Sequence, residues 1–306
     1  MYNNKYSFIL PAYKAKYLSI AIKSILNQTY TNFELVVVDD ASPEDLKSIV
    51  ESFSDNRVLY FRNPVNLGGE SLCNNWHHCL KYVKGEYMIL ASDDDVFEKD
   101  FLHYVDKYVI KYPECDIIRC NTRIINGHGN IEKEDCSFTT CKVSLADYLD
   151  KYFLNQVRCI ANTVYKSKWI LEHGFSVYDL AWHSDNMTAF QAAKNNGIVL
   201  IGDKVLFNFR VSGINISSSI TNSSVLRKSK ATSIYYSDLV RLINELPISL
   251  KKIRLRFKYM RTARLLFYGY ICNVGFEAIK DDILQCKIFN PLGKLILLSL
   301  KIKKVH

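Results

Sequence analysis

Three adjacent carboxylates, Asp93, Asp94 and Asp95, follow Ser92 directly after the apolar run Tyr87–Ala91. Behind a buried strand they repel one another, and burial penalises each charge, unless a cation or strong hydrogen-bond donors compensate. A second acidic pair, Asp39–Asp40, ends the run Phe33–Val38. Oxygen ligands of this kind suit manganese or magnesium, with phosphate and water completing the coordination. Two readings of the aspartate run are open. It is a solvated turn that caps the helix beginning near Lys99, or it holds a divalent cation against phosphates. Its place at a strand end, matched by the second acidic pair, favours the cation.

The surrounding pattern says which elements must carry these groups. Tyr6–Leu10 reads as a buried strand stopped by Pro11, and Leu18, Ile22, Ile25 and Leu26 follow at helical spacing. Phe33–Val38 is a second strand, Pro43–Phe53 a helix, Val58–Phe61 a third strand, Leu72–Val83 a helix and Tyr87–Ala91 a fourth strand. Near-continuous apolar strands alternating with helices predict an α/β fold with a doubly wound, mostly parallel sheet. Ligands of such sheets collect at the carboxyl ends of the strands. Those ends carry Pro11-Ala12-Tyr13, Asp39-Asp40, Asn63 to Gly69, and Ser92 to Asp95. A Walker-type phosphate loop is absent, and so is the G-x-G-x-x-G turn that a nicotinamide oxidoreductase would need after the first strand. Later strands are expected at Asp116–Asn121, Cys159–Tyr165 and Ile198–Ile201, a loop at Asn126–Asp135, and a linker or loop at Ser217–Ser224.

A chain of 306 residues, 48% hydrophobic, can bury one large α/β domain with an appendage. The nine cysteines form no CxxC pair, and Cys136 and Cys141 lack zinc-site spacing, so buried thiols in a reducing cytosol are expected. No signal peptide and no run of 18 apolar residues is read. From Leu226 onward there are 17 basic and 5 acidic residues, a surplus of 12, which leaves −3 for the preceding residues against the total of +9. The expected division is a domain at 1–225, with halves 1–100 and 101–225, and a basic helical region at 226–306.

Taken together and in order, YSFILPAYK (6–14), VVVDDAS (36–42), NPVNLGG (63–69), NNW (74–76) and KGEYMILASDDD (84–95) resemble the large inverting family 2 of nucleotide-sugar glycosyltransferases. The likeness covers about residues 5–215 and is closest over 5–100. It implies the GT-A fold, a UDP-sugar or similar nucleotide-diphosphate donor, a divalent cation (Mn or Mg), and transfer to an acceptor hydroxyl with inversion. Carried over by position, Pro11, Ala12 and Tyr13 line the base pocket, and Asp39 accepts from the base, commonly uracil. Asn66 and Asn75 approach the ribose and diphosphate, Asp93 flanks the nucleotide, and Asp94 and Asp95 hold the metal. Ser92 stands where many relatives have the first aspartate.

The resemblance also implies an acidic general base near a helix start in the second half. The matching residue is Asp185 in Trp182-His183-Ser184-Asp185-Asn186-Met187, with Ser184 where many relatives carry glutamate. Capping the helix Met187–Lys194 is the structural role open to the same side chain. Trp182 and His183 belong either to the acceptor mouth or to the core. Arg210, in Phe207–Ser212, belongs either near the diphosphate or in a structural ion pair. A catalytically inactive sugar-nucleotide binder is the alternative to the enzyme.

The basic tail has no nucleic-acid-binding motif, and the near-neutral body offers no phosphate track. Leu250, Ile253, Phe257, Met260, Ala263, Phe267 and Ile271 recur at spacings of three and four among Lys and Arg residues, and Leu292–Ile302 is apolar but short. One reading is a peripheral helix on an anionic membrane, meeting a lipid-linked or glycan acceptor at the inner face. The other is a helix packed on the body or on a second copy of the chain, giving a homodimer. A bacterial surface-polysaccharide pathway and a cytoplasmic location complete the expectation.

Overall fold

The computed structural model describes residues 4–213 and 220–289. Among them, ten strands form one sheet: β1 (Asn4–Ala12), β2 (Phe33–Asp39), β3 (Val58–Arg62), β4 (Gly85–Leu90), β5 (Val96–Phe97), β6 (Ile117–Asn126), β7 (Ile131–Glu134), β8 (Cys141–Val143), β9 (Thr163–Lys166) and β10 (Ile198–Val211). The helices are α1 (Leu18–Leu26), α2 (Leu46–Glu51), α3 (Leu67–Glu70), α4 (Leu72–Cys79), α5 (Phe101–Lys111) and α6 (Leu145–Asp147). They continue with α7 (Ser167–His173), α8 (Ser184–Asn196), α9 (Asn222–Glu245), α10 (Leu250–Val274) and α11 (Lys280–Gln285).

The strand order is β3-β2-β1-β4-β9-β6-β10-β5, with β7 beside β6 and β8 beside β10. β3, β2, β1 and β4 are mutually parallel. β9 runs antiparallel between β4 and β6. The chain therefore winds outward through β2 and β3, then returns to place β4 on the other side of β1. That reversal opens a crevice between the carboxyl ends of β1 and β4. Pro11 does not stop β1, which pairs through Pro11↔Val38 to Ala12↔Asp39. On its other side the ladder with β4 ends at Ile9↔Leu90, so no donor is required of the proline there.

Among the described residues two compact units emerge from the packing: residues 4–176 with 188–213, and residues 177–187 with 220–289. In the first, Phe8, Phe101 and Phe207 meet Phe97 edge to face at 4.9–5.1 Å and bind α5, β5 and β10 to the central strand. The second unit differs from the expected block at 226–306, because Val177–Met187 packs with the C-terminal helices. α9 also begins inside the Ser/Asn-rich stretch that read as a linker. Thr221 caps it by accepting from Ser224 N, so the polar residues serve a helix start. Residues 217–219 of that stretch, and the apolar segment Leu292–Ile302, lie outside the described residues.

The apolar stripe expected on α10 divides in the structure. Ala263, Phe267 and Ile271 are buried together with Leu255, Tyr259 and Tyr270, whereas Leu250, Ile253 and Phe257 are exposed. At 100° per residue, Leu255 and Tyr259 take the inward side and turn those three outward. Among the described residues, no helix is long and apolar enough to cross a membrane.

Candidate active site

The aspartate turn sits in the β1/β4 crevice and is locked to the opposite strand end. Asp93 Oδ2 accepts hydrogen bonds from Tyr13 N and Lys14 N, both at 2.9 Å. Asp95 Oδ1 accepts from Arg210 N at 2.8 Å. The buried Arg210 side chain lies behind the turn, donating through Nε to the Asp94 carbonyl (2.7 Å) and through Nη1 to the Asn126 carbonyl (3.2 Å). Its guanidinium stacks 4.5 Å from the Tyr17 ring centre. Arg210 thus anchors the backbone of the acidic turn.

Burial raises all three carboxyls above their ordinary range. For Asp94 the value is pushed up to about 6, by burial first and by the neighbouring Asp93 charge second. Asp95 is 1% exposed, and its Oδ2 is enclosed with no hydrogen-bond partner. Crowded carboxyls reluctant to ionise, with an unsatisfied oxygen among them, fit a divalent cation. Among the described residues no three His, Cys, Asp or Glu side chains group to hold a metal. In sites for such ions, substrate phosphates and water commonly complete the coordination.

At the next strand ends, the residues carried over from the family have definite partners. Pro11 is half-buried, Ala12 is enclosed and Tyr13 is 38% exposed at the rim. Asp39 is fully buried. Its Oδ1 accepts from Ser42 N (2.8 Å), while its Oδ2 accepts from Tyr60 OH (2.6 Å) and from Arg62. Arg62 also donates to the Ser42 carbonyl at 2.9 Å. A base approaching Asp39 must therefore share it with, or displace, the half-exposed Arg62. Tyr60 and Arg62 were not singled out from the sequence, although the pairing Asp39↔Arg62 follows once β2 and β3 are in register.

Asp40 shapes the loop after β3. Its oxygens accept from Leu67 N (2.9 Å), Gly68 N (2.7 Å) and Asn63 Nδ2 (2.8 Å). A Cβ on Gly68 would stand 2.8 Å from Asp40 Oδ2, so the close approach needs glycine. Asn66 caps α3 by accepting from Gly69 N at 2.6 Å. Asn75 is 3% exposed and faces Asn63 and Cys79, which places it under the loop.

Asp185 lies in the first turn of α8, half-buried. The carbonyl of His183 accepts from Met187 N at 3.1 Å and opens that helix. Trp182 and His183 are held within the second unit: Trp182 Nε1 donates to Tyr270 OH (3.1 Å), and the His183 ring stacks on Tyr235 at 4.3 Å.

Residues 7–160 match the family model described as glycosyl transferase family 2. The chain belongs to glycosyl transferase family 2. Within the family it is similar to the UDP-Glc:alpha-D-GlcNAc-diphosphoundecaprenol beta-1,3-glucosyltransferase WfgD of Escherichia coli. The two are 31% identical over 128 residues, which is 42% of this chain and 49% of that protein. It is also 26% identical over 208 residues to the poly(ribitol-phosphate) beta-N-acetylglucosaminyltransferase TarS of Staphylococcus aureus (strain MW2), covering 66% of this chain and 35% of TarS. The chain thus spans about half the length, or less, of these curated relatives.

The crystal structure of S. aureus TarS 1–349 in complex with UDP-GlcNAc superposes with a TM-score of 0.69 at 18% identity, covering 92% of this chain and 81% of that one. The mannosyltransferase PcManGT of Pyrobaculum calidifontis, solved with GDP-Man and Mn2+, gives 0.56 at 14% identity, covering 99% and 80%. The fold of this family 2 member is GT-A.

Proposed function

We propose that this family 2 member is a metal-dependent inverting glycosyltransferase that moves a sugar from a UDP-sugar to the hydroxyl of a lipid-linked or glycan acceptor in bacterial surface-polysaccharide synthesis. The observation that carries the reading is the aspartate turn. Its backbone is fixed from both sides, and its carboxyls are raised toward neutrality in a crevice where phosphates collect in such folds. The named donors and acceptors of similar proteins support it: a UDP-Glc and a diphosphoundecaprenol acceptor for WfgD, and UDP-GlcNAc with TarS.

In this reading Tyr13 and the loop residues at Asn66 approach the nucleotide, and Asp39 exchanges its Arg62 contact for the base. Asp94, with Asp95 beside it, would hold a manganese or magnesium ion, which would supply positive charge to offset the charge developing on the leaving diphosphate. Asp185 removes the acceptor hydroxyl proton as that oxygen attacks the anomeric carbon. The bond to the diphosphate oxygen breaks on the opposite face, which inverts the configuration. Asp185 begins a helix and is half-buried, which suits a base beside a desolvated acceptor better than a surface cap.

Peripheral membrane contact belongs to the same reading. On α10 the exposed Leu250 (85%), Ile253 (53%), Phe257 (61%), Leu265 (65%) and Tyr268 (49%) stand among exposed Arg254, Arg256 and Arg261. Apolar and aromatic groups mixed with arginine complement an anionic bilayer surface.

The test is UDP release from a panel of UDP-sugars, with Mn2+ or with EDTA. Release that needs the ion, and that Asp185→Asn lowers by about 10², supports the assignment. Sugar-nucleotide binding without turnover under every condition would replace the enzyme with an inactive binder, a role that Ser92 and Ser184 would fit.

A further inference from the structure

The segment leading into Asp185 is held in a conformation that it would not keep alone. Leu180, Ala181 and His183 have φ of 57°, 53° and 72°, three non-glycine residues in the left-handed region within four positions. Such residues persist where their surroundings over-determine them, and they gather at functional sites. Here the surroundings are α9 and α10. Tyr270, 8% exposed, takes the Trp182 indole hydrogen bond on its hydroxyl, and that hydroxyl lies 3.0 Å from the fully buried Thr232 Oγ1. Thr232 Oγ1 in turn lies 3.2 Å from His183 Nε2. At the other end of the segment, Asp179 accepts two hydrogen bonds from Arg227, at 2.6 and 2.9 Å.

We propose that the C-terminal helices act as the positioning element for the base: Arg227 on α9 and the Thr232–Tyr270 pair hold the strained segment Asp179–His183, and so fix where Asp185 stands. The coupling is short. His183, gripped by Thr232 and Tyr235, supplies the carbonyl that opens α8, and Asp185 follows two residues later. A shift of His183 is a shift of the whole first turn. The inference rests on the reading of Asp185 as base, and it gives the C-terminal region a part in turnover that is separate from any contact with membrane.

The test compares Arg227→Ala, Tyr270→Phe, and the charge exchange Asp179→Arg with Arg227→Asp, all in the full chain. Hydrogen exchange comes first, because it needs no donor. Amides of residues 180–185 should exchange about tenfold faster in the two single variants, while β1–β4 exchange as in the parent. Next, UDP release with Mn2+ and the UDP-sugar that the parent turns over best should show kcat lower by about tenfold, with donor KM within about twofold. The charge exchange should recover most of the loss, even if Arg227→Ala alone proves unstable. Unchanged exchange and unchanged kcat in both single variants would overturn the inference, as would a loss that the charge exchange does not recover. Asp185→Asn separates the two ideas. If it collapses turnover while the positioning variants run at the parental rate, only the positioning inference fails. If it runs at the parental rate itself, the base assignment fails.

Discussion

Replacing Asp94 with asparagine should stabilise the metal-free protein while removing its response to metal. The carboxyl is raised from 3.8 to about 6, chiefly by burial and then by Asp93. At about 1.36 kcal/mol per unit, the penalty for its charge is about 3 kcal/mol as an upper bound. The group is half-buried, and water at its surface screens the penalty to about 1.5 kcal/mol. Between 3.8 and about 6 the folded state binds more protons at this site than the unfolded state does, so stability falls as pH rises through that window. An uncharged amide escapes the loss. In EDTA at pH 8, Asp94→Asn should therefore melt about 3–6 °C above the parent, at roughly 2–4 °C per kcal/mol for a domain of this size. At pH 4.5 the advantage should shrink to about a third, because the parental carboxyl is then mostly protonated. With MnCl2 and UDP present, the parent should gain stability and the variant should not. Differential scanning fluorimetry at the two pH values measures all three comparisons. A variant that melts at or below the parent in EDTA at pH 8 would refute the desolvated-carboxylate argument. Equal stabilisation of both proteins by MnCl2 and UDP would remove Asp94 from the metal site.

Three further outcomes are expected. Asp39→Ala should weaken UDP binding by about 1.5–3 kcal/mol in calorimetry, the range for hydrogen bonds to a charged group, and an unchanged affinity would take Asp39 out of the base pocket. Gly68→Ala should destabilise by about 1–3 kcal/mol in urea, because its Cβ would stand 2.8 Å from Asp40 Oδ2, and a neutral result would mean that the loop moves freely. The chain should float with anionic but not neutral vesicles and release at high salt, and Leu250→Glu with Phe257→Glu should abolish flotation. Flotation that survives this pair would exclude the outward face of α10 as the contact.

The frame of the donor half was legible because its strands are covered on both faces and read as apolar runs. Phe33–Val38 and Tyr87–Ala91 announce both their own burial and the strand ends beyond them. What escaped reading depends on partners far apart in the chain. Arg210 meets Asp95 across a separation of 115 residues, and Arg62 reaches Asp39 only after β2 and β3 align. The strand expected at Ile198–Ile201 and the strand ending in an arginine expected within Phe207–Ser212 are one element, β10, because the ladder with β6 resumes beyond the irregular stretch after Ile201. Local polarity misled at Asn222–Ser224, where the same residue types that loosen a loop also start a helix capped by Thr221. On α10 the three-and-four spacing was real, but two sides of a 25-residue helix satisfy it in turn, and only packing says which is inward.

The grouping of residues 177–187 with the C-terminal helices bears on how this chain can be recombined with a relative. A chimera joined near residue 225, where composition changes, would inherit the Asp179 carboxylate from one parent and the Arg227 guanidinium from the other. It would also separate Trp182 and His183 from the hydroxyls of Tyr270 and Thr232. Each parent could fold its own share and the hybrid could still bind nucleotide, with the turn that carries Asp185 left unsupported. Crossovers that respect the packing need three cuts, one on each side of residues 177–187 and one between residues 213 and 220, so that the short insert travels with residues 220–289 as a single inheritance. Libraries shuffled with that rule should yield active hybrids more often than libraries cut once near residue 225.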